Sequence, residues 1–500
     1  MPRIRFDALV FTHDDQRPFP QPLDLDLGPG WTGVVGPNGA GKSTLFRLML
    51  AELAPERGSI HVEPRDGLIR HVAQTSEQLE PAILGLAGDC SADASRLRAE
   101  LELDPIELER WPTLSPGERK RWQVAAALLD EPDLLLLDEP NNHLDLQARS
   151  SLIRALGRHR GLGLLISHDR ALLDELCSAT LFVEHGQLEL RPGGFSAATR
   201  EREREREHAR AQHELAREQL GRLDRQVQRA RQRHASAERS RSSASRKRDH
   251  RDHDASSSAR KFRADRAASS QAATLHRSQV ARDRQRERVD AWHPPPELGR
   301  ELFVDWQPPR KRVLVHMTRD DLGRLAPGPW TRLPDDLDAI QLGREDKLWL
   351  RGRNGAGKTS LLSSLRARAC EQLDPSRVLW LPQELDHEAR RGLLRELAGL
   401  PRSERGRVLE LVASAGVDPE HLLATPDPSP GEARKLALAL GLARSAWLLL
   451  LDEPTHHLDL PAIEATERML VAYPGALVLV SHDPSFAERC TTQRWTLDRG

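Results

Sequence analysis

The sequence carries the same ordered set of short motifs twice, and this repeat limits what the chain can fold into. A glycine-rich segment at 36–44, GPNGAGKST, has a counterpart at 352–360, GRNGAGKTS. The run LLLLDEP occurs at 134–140 and again at 448–454. The two pairs are offset by 316 and 314 positions, so both copies keep the same order and nearly the same spacing. Two copies of one domain are the simplest explanation.

Length and composition also indicate several domains. The chain has 500 residues, more than one hydrophobic core usually organises. Between the two copies, residues 201–290 are rich in Arg, Glu, Gln, Ala and Ser, and Phe262 is their only aromatic residue. Helix breakers flank this stretch, Pro-Gly-Gly from Pro192 and Pro-Pro-Pro from Pro294. We therefore expect a first domain over 1–195, a charged helical linker over 196–295 and a second domain over 296–500.

The linker composition predicts a helical hairpin. Residues 198–239 and 271–290 are helix formers with few breakers, whereas the Ser-rich middle, 241–270, is predicted to be less regular. We expect a first helix of about 40 residues, or ~60 Å, followed by a turn or loop and a returning helix.

The glycine-rich segments match G-x-x-x-x-G-K-[ST], the pattern of a phosphate-binding loop. In such a loop backbone N–H groups surround the phosphates, the lysine adds a charge, and the following hydroxyl binds Mg²⁺. Each segment lies between a predicted strand and a predicted helix, whose N-terminus favours phosphate. A Gly-rich turn without a ligand is the alternative, and two matches in register argue against it. The predicted phosphate-binding residues are Gly36, Pro37, Asn38, Gly39, Ala40, Gly41, Lys42, Ser43, Thr44, Gly352, Arg353, Asn354, Gly355, Ala356, Gly357, Lys358, Thr359 and Ser360.

Two apolar runs end in an Asp-Glu pair and predict central strands buried on both faces. An acid at the end of such a strand, Asp138 or Asp452, can hold Mg²⁺. The next residue, Glu139 or Glu453, can orient an attacking water or accept its proton. Acids that simply cap a strand are the alternative, and their recurrence together with the phosphate loops argues against it.

A third repeated motif identifies a family. The segments LSPGER at 114–119 and PSPGEA at 428–433 resemble the LSGGQ signature of the ATP-binding-cassette (ABC) ATPases. The resemblance implies an α/β fold with two P-loop NTPase domains, each with a helical subdomain, joined here by the helical-hairpin linker. It also implies that ATP and Mg²⁺ are the cofactors and that the two cassettes pair head to tail within the chain. Each signature then completes the ATP site of the other cassette, through Ser115, Gly117, Ser429 and Gly431.

The same resemblance assigns further roles. In both copies 29 positions separate the glutamate from a histidine that matches the switch histidine, which contacts the γ-phosphate. Two glutamines match the Q-loop position, which reaches both Mg²⁺ and water. The implied catalytic residues are Glu139, Glu453, His168, His482, Gln74 and Gln383. The implied magnesium ligands are Ser43, Gln74, Asp138, Thr359, Gln383 and Asp452.

Some positions depart from the family pattern. Proline replaces the first signature glycine at Pro116 and Pro430, where it suits the first turn of a helix. Asn141, His456 and Arg353 stand where Thr, Asn and Pro are usual. None of these changes removes a catalytic group, but together they predict that the two sites are not equivalent.

Within the family, NHLD at 142–145 and HHLD at 456–459 resemble the ABC-F proteins. These are soluble tandem-cassette ATPases with a long charged linker, and many bind ribosomes. The resemblance covers nearly the whole chain. It implies a cytoplasmic enzyme that hydrolyses ATP and acts on the ribosome, as a translation factor or in ribosome protection and antibiotic resistance, with rRNA and P-site tRNA as partners.

The net charge of −1 hides a separation of charge along the chain. Residues 201–290 contain 25 Lys and Arg against 15 Asp and Glu, a net charge of +10, while the remainder has 49 against 60, a net charge of −11. Such a basic segment suits RNA, although a solvated helical spacer is the common alternative. The candidate RNA-contact residues, from the tightest basic clusters, are Arg246, Lys247, Arg248, Arg260, Lys261 and Arg263.

Two other functions stay open, the ATPase subunit of a membrane transporter and a DNA-directed ABC ATPase. The long linker with its basic tip argues against the first, and the lack of cysteine pairs for zinc argues against the second. A mean hydropathy of −0.58, with no apolar run near ~18 residues, predicts no integral membrane segment. Four scattered cysteines fit a reducing cytoplasm.

Overall fold

A computed structural model of the chain describes residues 1–13, 16–74, 78–141, 144, 146–184, 186–246, 254–290, 306–318, 321, 339–353 and 355–497. The chain forms two units, one of Met1–Ala198 with Gly299–Gly500 and one of Thr199–Leu298. The first unit contains both cassettes, and the second contains the helices of the linker. The domain limits near 195 and 295 stay predictions.

The first cassette combines a mostly parallel sheet with an antiparallel one. Its strands are β1 (Arg3–His13), β2 (Gln16–Leu27), β3 (Gly30–Val35), β4 (Arg57–Glu63), β5 (Ile69–Val72), β6 (Leu134–Asp138), β7 (Leu162–Ile166), β8 (Ala179–Glu184) and β9 (Gln187–Pro192). Its helices are α1 (Lys42–Met49), α2 (Pro81–Gly88), α3 (Ala92–Glu100), α4 (Pro116–Leu129), α5 (Leu146–Leu156) and α6 (Arg170–Leu176). The main sheet has the order β5-β6-β7-β3-β8-β9, and all its pairs are parallel except β8 with β9. The smaller sheet has the order β2-β1-β4.

The second cassette repeats the main sheet. After the linker helices α7 (Phe195–Arg246) and α8 (Asp254–Asp290), its strands are β10 (Val313–Thr318), β11 (Ala339–Gly343), β12 (Lys347–Gly352), β13 (Val378–Leu381), β14 (Leu448–Asp452), β15 (Ala476–Val480) and β16 (Gln493–Leu497). Its helices are α9 (Lys358–Gln372), α10 (His387–Gly399), α11 (Arg402–Ser414), α12 (Pro419–Ala424), α13 (Pro430–Ala443), α14 (Leu460–Ala472) and α15 (Pro484–Cys490). The order β13-β14-β15-β12-β16 matches β5-β6-β7-β3-β8 strand for strand, which confirms the tandem α/β fold.

The leucine runs form central strands because both faces of the sheet are covered. In β6, Leu135 and Leu137 pack into a cluster with the helices, whereas Leu134 and Leu136 pack on the opposite face with β1, β2 and α1. The four leucines of β14 divide in the same way between two clusters. Alternate side chains of a strand point to opposite faces, so a continuous apolar run requires cover on both.

The signature segments each begin a helix with the same cap. Pro116 and Pro430 occupy the first turn of α4 and α13, as predicted for a residue that lacks an N–H. Ser115 and Glu118 form a reciprocal capping box, and Ser429 and Glu432 form the second. These caps fix where the two signature helices start.

The linker helices pack against each other as an antiparallel pair. The side-chain amide of Gln285 in α8 donates to the Ala216 carbonyl of α7 at 3.1 Å, and His213 of α7 lies 3.2 Å from the Val289 carbonyl of α8. The helical hairpin is therefore confirmed, but the irregular middle was predicted too long. Helix α7 continues to Arg246 and α8 begins at Asp254, because this segment has no Gly or Pro and serine costs a helix little. No helix in the described ranges is long and apolar enough to cross a membrane.

Candidate functional site

Each glycine-rich segment forms a loop between a sheet strand and a helix. Gly41 directly precedes α1 with φ 99°, and Gly357 precedes α9 with φ 89°. Glycine adopts this left-handed conformation without the steric cost that a Cβ brings. The first N–H groups of an α-helix have no partner within the helix, and in a phosphate-binding loop they bind phosphate oxygens.

The side chain of each loop lysine donates hydrogen bonds to carbonyl groups of its own loop. Lys42 Nζ donates to the carbonyls of Gly36 at 2.7 Å and Pro37 at 2.9 Å. Lys358 makes the matching contacts in the second loop at 2.8 and 3.1 Å. Burial lowers the pKa of Lys42, and nearby carboxylates oppose that shift. Among the predicted loop residues, Asn354 lies outside the described part of the chain.

The hydroxyl and carboxylate predicted to bind Mg²⁺ lie together in both cassettes. Ser43 Oγ is 3.2 Å from Asp138 Oδ2, and Thr359 bonds to the Asp452 carboxyl. Burial raises the pKa of both aspartates, and these hydroxyls oppose the shift. The Oδ2 atom of Asp452 is buried without a hydrogen-bond partner among the described residues. A hard oxygen pair with a spare acceptor fits Mg²⁺.

The two Q-loop glutamines are placed less closely. Gln74 follows β5 and Gln383 follows β13, and both line the central cavity described below. Among the described contacts, neither glutamine side chain reaches Asp138 or Asp452. The structure therefore brings the predicted hydroxyl and carboxylate ligands together, while metal binding by the glutamines stays a prediction.

The glutamate and histidine of each cassette lie side by side. His168 Nε2 is 3.4 Å from Glu139 Oε1, and His482 Nε2 is 3.5 Å from Glu453 Oε1. Both glutamates have a positive φ, 47° and 48°, which residues other than glycine rarely adopt. Each backbone N–H donates at 2.9 Å to the neighbouring sheet strand, which holds the strained turn. Such strain persists only where surrounding contacts enforce it, commonly at functional sites.

Burial sets the protonation of these pairs. It raises the pKa of Glu139 and Glu453 to about 8, and the adjacent aspartate adds to the shift. It also lowers the pKa of His168 to about 3, with Lys42 contributing. A neutral imidazole therefore faces Glu139. A carboxylate with a raised pKa holds a proton more readily, which suits a group that accepts one from water.

Groups from both cassettes line one cavity of about 570 Å³. The first cassette contributes its phosphate loop, Q-loop glutamine, catalytic glutamate and switch histidine, and the second contributes its signature. These lining residues are Pro37, Asn38, Gln74, Glu139, His168, Ser429 and Gly431. The cavity also reaches Gln383, Glu453 and His482. The geometry brings together the groups that head-to-tail pairing requires for the first site.

Direct contacts hold the first phosphate loop against the second cassette. The backbone N–H of Asn38 donates to Asp459 Oδ2 at 2.8 Å, and its side-chain amide lies 3.5 Å from the His457 carbonyl. By contrast, Ser115 and Gly117 do not line the central cavity. The second composite site therefore stays a prediction.

Sequence reasoning missed a cation five residues after each signature serine. Lys120 Nζ donates to the backbone carbonyls of Ala73 and Gln74, the latter at 2.9 Å, and burial lowers its pKa to about 8. At the matching position Arg434 donates to the Glu453 carbonyl at 3.0 Å. The signal was available, because a basic residue occurs at this offset in both copies.

The substitution at Asn141 changes the surroundings of the first switch segment. Its side-chain carbonyl accepts a hydrogen bond from Ser167 at 2.8 Å, and its amide donates to Asp169 at 3.3 Å. These two residues flank His168, so Asn141 connects the end of β6 to the switch segment. The inequivalence of the two sites stays a prediction.

The predicted RNA-contact clusters are only partly covered by the description. Lys247 and Arg248 lie outside the described residues, and for Arg246, Arg260, Lys261 and Arg263 only the helical backbone is described. Phe262, beside the second cluster, has a side chain that is 69% exposed. The RNA-contact assignment stays a prediction.

Comparisons with known proteins agree with this geometry. The profile of the family described as "ABC transporter" matches residues 21–142 and 338–456. Over its whole length the chain is 29% identical to the tylosin resistance ATP-binding protein TlrC of Streptomyces fradiae, 98% of which is aligned. It is also 29% identical to the ribosome protection protein VmlR of Bacillus subtilis, with 92% of this chain and 80% of that protein aligned.

A solved structure of similar fold covers both cassettes. The archaeal ribosome recycling factor aABCE1, in complex with the stalk protein aP1, aligns with a TM-score of 0.58 at 18% identity, covering 98% of this chain and 87% of that one. At this identity the similarity concerns the fold alone. The two cassettes, their signatures and these relatives agree. The chain belongs to the ATP-binding-cassette family as a tandem-cassette, ATP-binding protein of the ABC-F type.

Proposed function

We propose that the chain hydrolyses ATP between its two cassettes and uses this reaction to act on the ribosome. The observation that carries the first part is the cavity in which Glu139 and His168 of one cassette lie with Ser429 and Gly431 of the other. A site assembled from both cassettes is complete only while they are paired. ATP binding then stabilises the paired state, and hydrolysis releases it.

The proposed reaction assigns a role to each group. Glu139 orients a water and accepts its proton as the water oxygen attacks the γ-phosphorus and the bond to the β-phosphate oxygen breaks, giving ADP and phosphate. Lys42 and the N–H groups before α1 bind the phosphate oxygens, and His168 contacts the γ-phosphate. Mg²⁺, held by Ser43 and Asp138, would neutralise charge on the β- and γ-phosphates. The second site uses the equivalent groups.

The ribosome is proposed on two independent grounds. One relative is named a ribosome protection protein and another a tylosin resistance protein, and both align over most of their length. The segment 201–290 carries a net charge of +10 while the rest of the chain is acidic. Arginine-rich helices bind RNA phosphates without regard to sequence. We propose that the tip between α7 and α8 contacts rRNA and P-site tRNA, and that the protein works in the cytoplasm.

The test traps the ATP-bound state. The double variant Glu139→Gln, Glu453→Gln is incubated with ribosomes with and without ATP, and the bound fraction is measured by sedimentation. We expect ATP-dependent binding that weakens when Arg246, Arg248 and Arg260 are replaced by Gln. A matched control replaces Arg202, Arg204 and Arg206, which lie in the alternating Glu-Arg start of α7, and should bind as the parent does.

The other outcomes decide against the proposal. Absence of ribosome binding under every nucleotide condition would contradict it, and equal losses in the tip and control variants would contradict the role of the tip. Stronger ATP-dependent binding to duplex DNA than to ribosomes would favour a DNA-directed ATPase. Recovery of the protein with membranes rather than with ribosomes would favour a transporter subunit.

A further inference from the structure

A buried ion pair joins the two cassettes beside the first site. Arg170 is the first residue of α6, two positions after His168, and Glu467 lies in α14 of the second cassette. The distance from Arg170 Nη1 to Glu467 Oε2 is 2.7 Å, and the two side chains are 6% and 8% exposed. The pair is separated by 297 positions in sequence and exists only while the cassettes are in contact.

The surroundings make Glu467 the main counter-charge of Arg170. A second carboxylate, Glu464, is further away and more exposed, with its Oε1 4.0 Å from Arg170 Nη2 and its side chain 40% exposed. The Nε and Nη2 atoms of Arg170 have no hydrogen-bond partner among the described residues. The other oxygen of Glu467 accepts from Arg489 Nη1 at 2.7 Å, within the second cassette. Removing Glu467 would therefore leave a buried guanidinium with little compensation.

The repeat places entirely different residues on the other side. With the offset of 314 between the cassettes, Arg170 corresponds to Pro484 and Glu467 corresponds to Ile153. Arg489 and Glu464 correspond to Glu175 and Ser150. These four counterparts line one cavity of about 250 Å³ between the cassettes, together with Arg149, Trp349, Arg351 and Glu488. An ion cluster thus fastens one side of the interface, and a cavity occupies the matching place on the other.

The pair also lies on elements that form the first site. Helix α6 follows the switch segment that carries His168, and α14 follows Asp459, whose carboxylate binds the first phosphate loop. Glu467 is eight residues after Asp459, or about 12 Å along the helix. The ion pair therefore fixes the switch segment of the first cassette relative to α14 of the second. The N-cap of that helix, Asp459, contacts the phosphate loop of the same site.

We propose that Arg170 is a positioning residue which, through Glu467, locks the switch segment of the first cassette onto the second cassette, so that the first ATP site depends on this contact and the second does not. This inference rests on the proposed ATP hydrolysis. Arg170 loses its hydration on closure and recovers that loss mainly through Glu467, so the pair is strongest in the closed state. Among the described residues, no ion pair between the cassettes occupies the matching place beside the second site.

The test measures single-turnover ATP hydrolysis in two backgrounds. Glu453→Gln leaves only the first site competent, and Glu139→Gln leaves only the second. In the first background Arg170→Gln should slow hydrolysis about ten-fold, as a misplaced catalytic group does. In the second background it should have no comparable effect. Arg489→Gln is the matched control, because Arg489 contacts the same carboxylate from within the second cassette and should not distinguish the two backgrounds.

Two additions separate positioning from general stability. The double variant Arg170→Gln, Glu467→Gln should be no slower than Arg170→Gln alone, because both changes remove one interaction. Arg170→Lys, which keeps the charge, should restore part of the rate even if Arg170→Gln unfolds at a lower temperature. Equal slowing in both backgrounds, or none in the first, would overturn the inference. If neither parent background hydrolyses ATP faster than the double Glu variant, the proposed function itself fails.

Discussion

The two cassettes share one sheet order but support their sites by different contacts. In the first, Lys120 holds the carbonyls of the Q-loop, whereas Arg434 at the same position holds the backbone of Glu453. The groups predicted to touch phosphate, magnesium or water are retained in both copies, because those ligands allow few alternatives. The residues one layer further out have diverged, and each site is therefore held in place in its own way.

The cores differ as well. In the first cassette Trp31 of β3 pairs with Gly163 of β7, and at the matching positions of the second cassette Lys347 pairs with Leu477. A Cβ on Gly163 would lie 2.5 Å from the Trp31 ring. The Trp–Gly pair of the first cassette is thus replaced by a Lys–Leu pair in the second, so the same two strands are packed differently.

Substitution of the two catalytic glutamates should have the largest effect on ATP turnover. Glu139→Gln and Glu453→Gln should each abolish hydrolysis at their own site, and together they should lower ATP turnover at least about a hundred-fold, because a general base contributes that much. Steady-state phosphate release measures the loss. If neither single variant lowered turnover, the assignment of both glutamates would be wrong.

Substitutions at Gly163 and Leu477, which occupy matching positions of β7 and β15, should destabilise the protein for opposite reasons. Gly163→Ala adds a Cβ against Trp31 and should destabilise the protein by ~1–3 kcal/mol. Leu477→Ala removes buried atoms and should cost ~2–5 kcal/mol. Urea denaturation measures both. Gly85→Ala in α2 is the control, since a Cβ there meets nothing within 4 Å and a helical alanine should be neutral or stabilising.

The cations after the signatures should affect one site each. Lys120→Met frees the carbonyls of Ala73 and Gln74 and should slow single-turnover hydrolysis at the first site about ten-fold, because the Q-loop loses its anchor. Arg434→Met should instead slow the second site, where it releases the backbone of Glu453. A loss of similar size at both sites from either change would contradict separate support.

The pH dependence of stability tests the two buried glutamates without nucleotide. Burial raises the pKa of Glu139 and Glu453 from 4.5 to about 8 in the folded protein. Their contribution is therefore complete below the unfolded value of 4.5 and is lost as the pH rises through about 8. The free energy of unfolding without nucleotide should fall over this window, and the double Gln variant should fall less. Parallel profiles for parent and variant would contradict the raised pKa values.

The fold and the phosphate-binding residues were predictable because they depend on short, contiguous patterns. A phosphate loop needs glycines, a lysine and a hydroxyl at fixed spacing, and a buried strand needs a continuous apolar run, as in β6. The capping prolines followed from the same local logic. The start of α8 did not, because Ser and Asp occur both inside helices and at their caps, so a Ser-rich segment does not show where a helix begins.

Contacts between distant segments left no such pattern. Arg170 and Glu467 are ordinary charged residues 297 positions apart, and only the packed cassettes bring them together. The sequence could have indicated Lys120, because its counterpart Arg434 is also basic. It could not indicate the backbone carbonyls to which Lys120 donates. Which group donates a hydrogen bond to a backbone carbonyl depends on the tertiary structure, not on the type of residue that carries the carbonyl.

The most direct test is to measure whether the second cassette completes the first ATP site. In the Glu453→Gln background, single-turnover hydrolysis is compared for Ser429→Ala and Ser115→Ala, which remove the same helix cap from α13 and α4. We expect Ser429→Ala to slow hydrolysis about ten-fold or more, as loss of a phosphate donor does, and Ser115→Ala to leave it near the parent rate. A loss with Ser115→Ala and none with Ser429→Ala would contradict a site built from both cassettes.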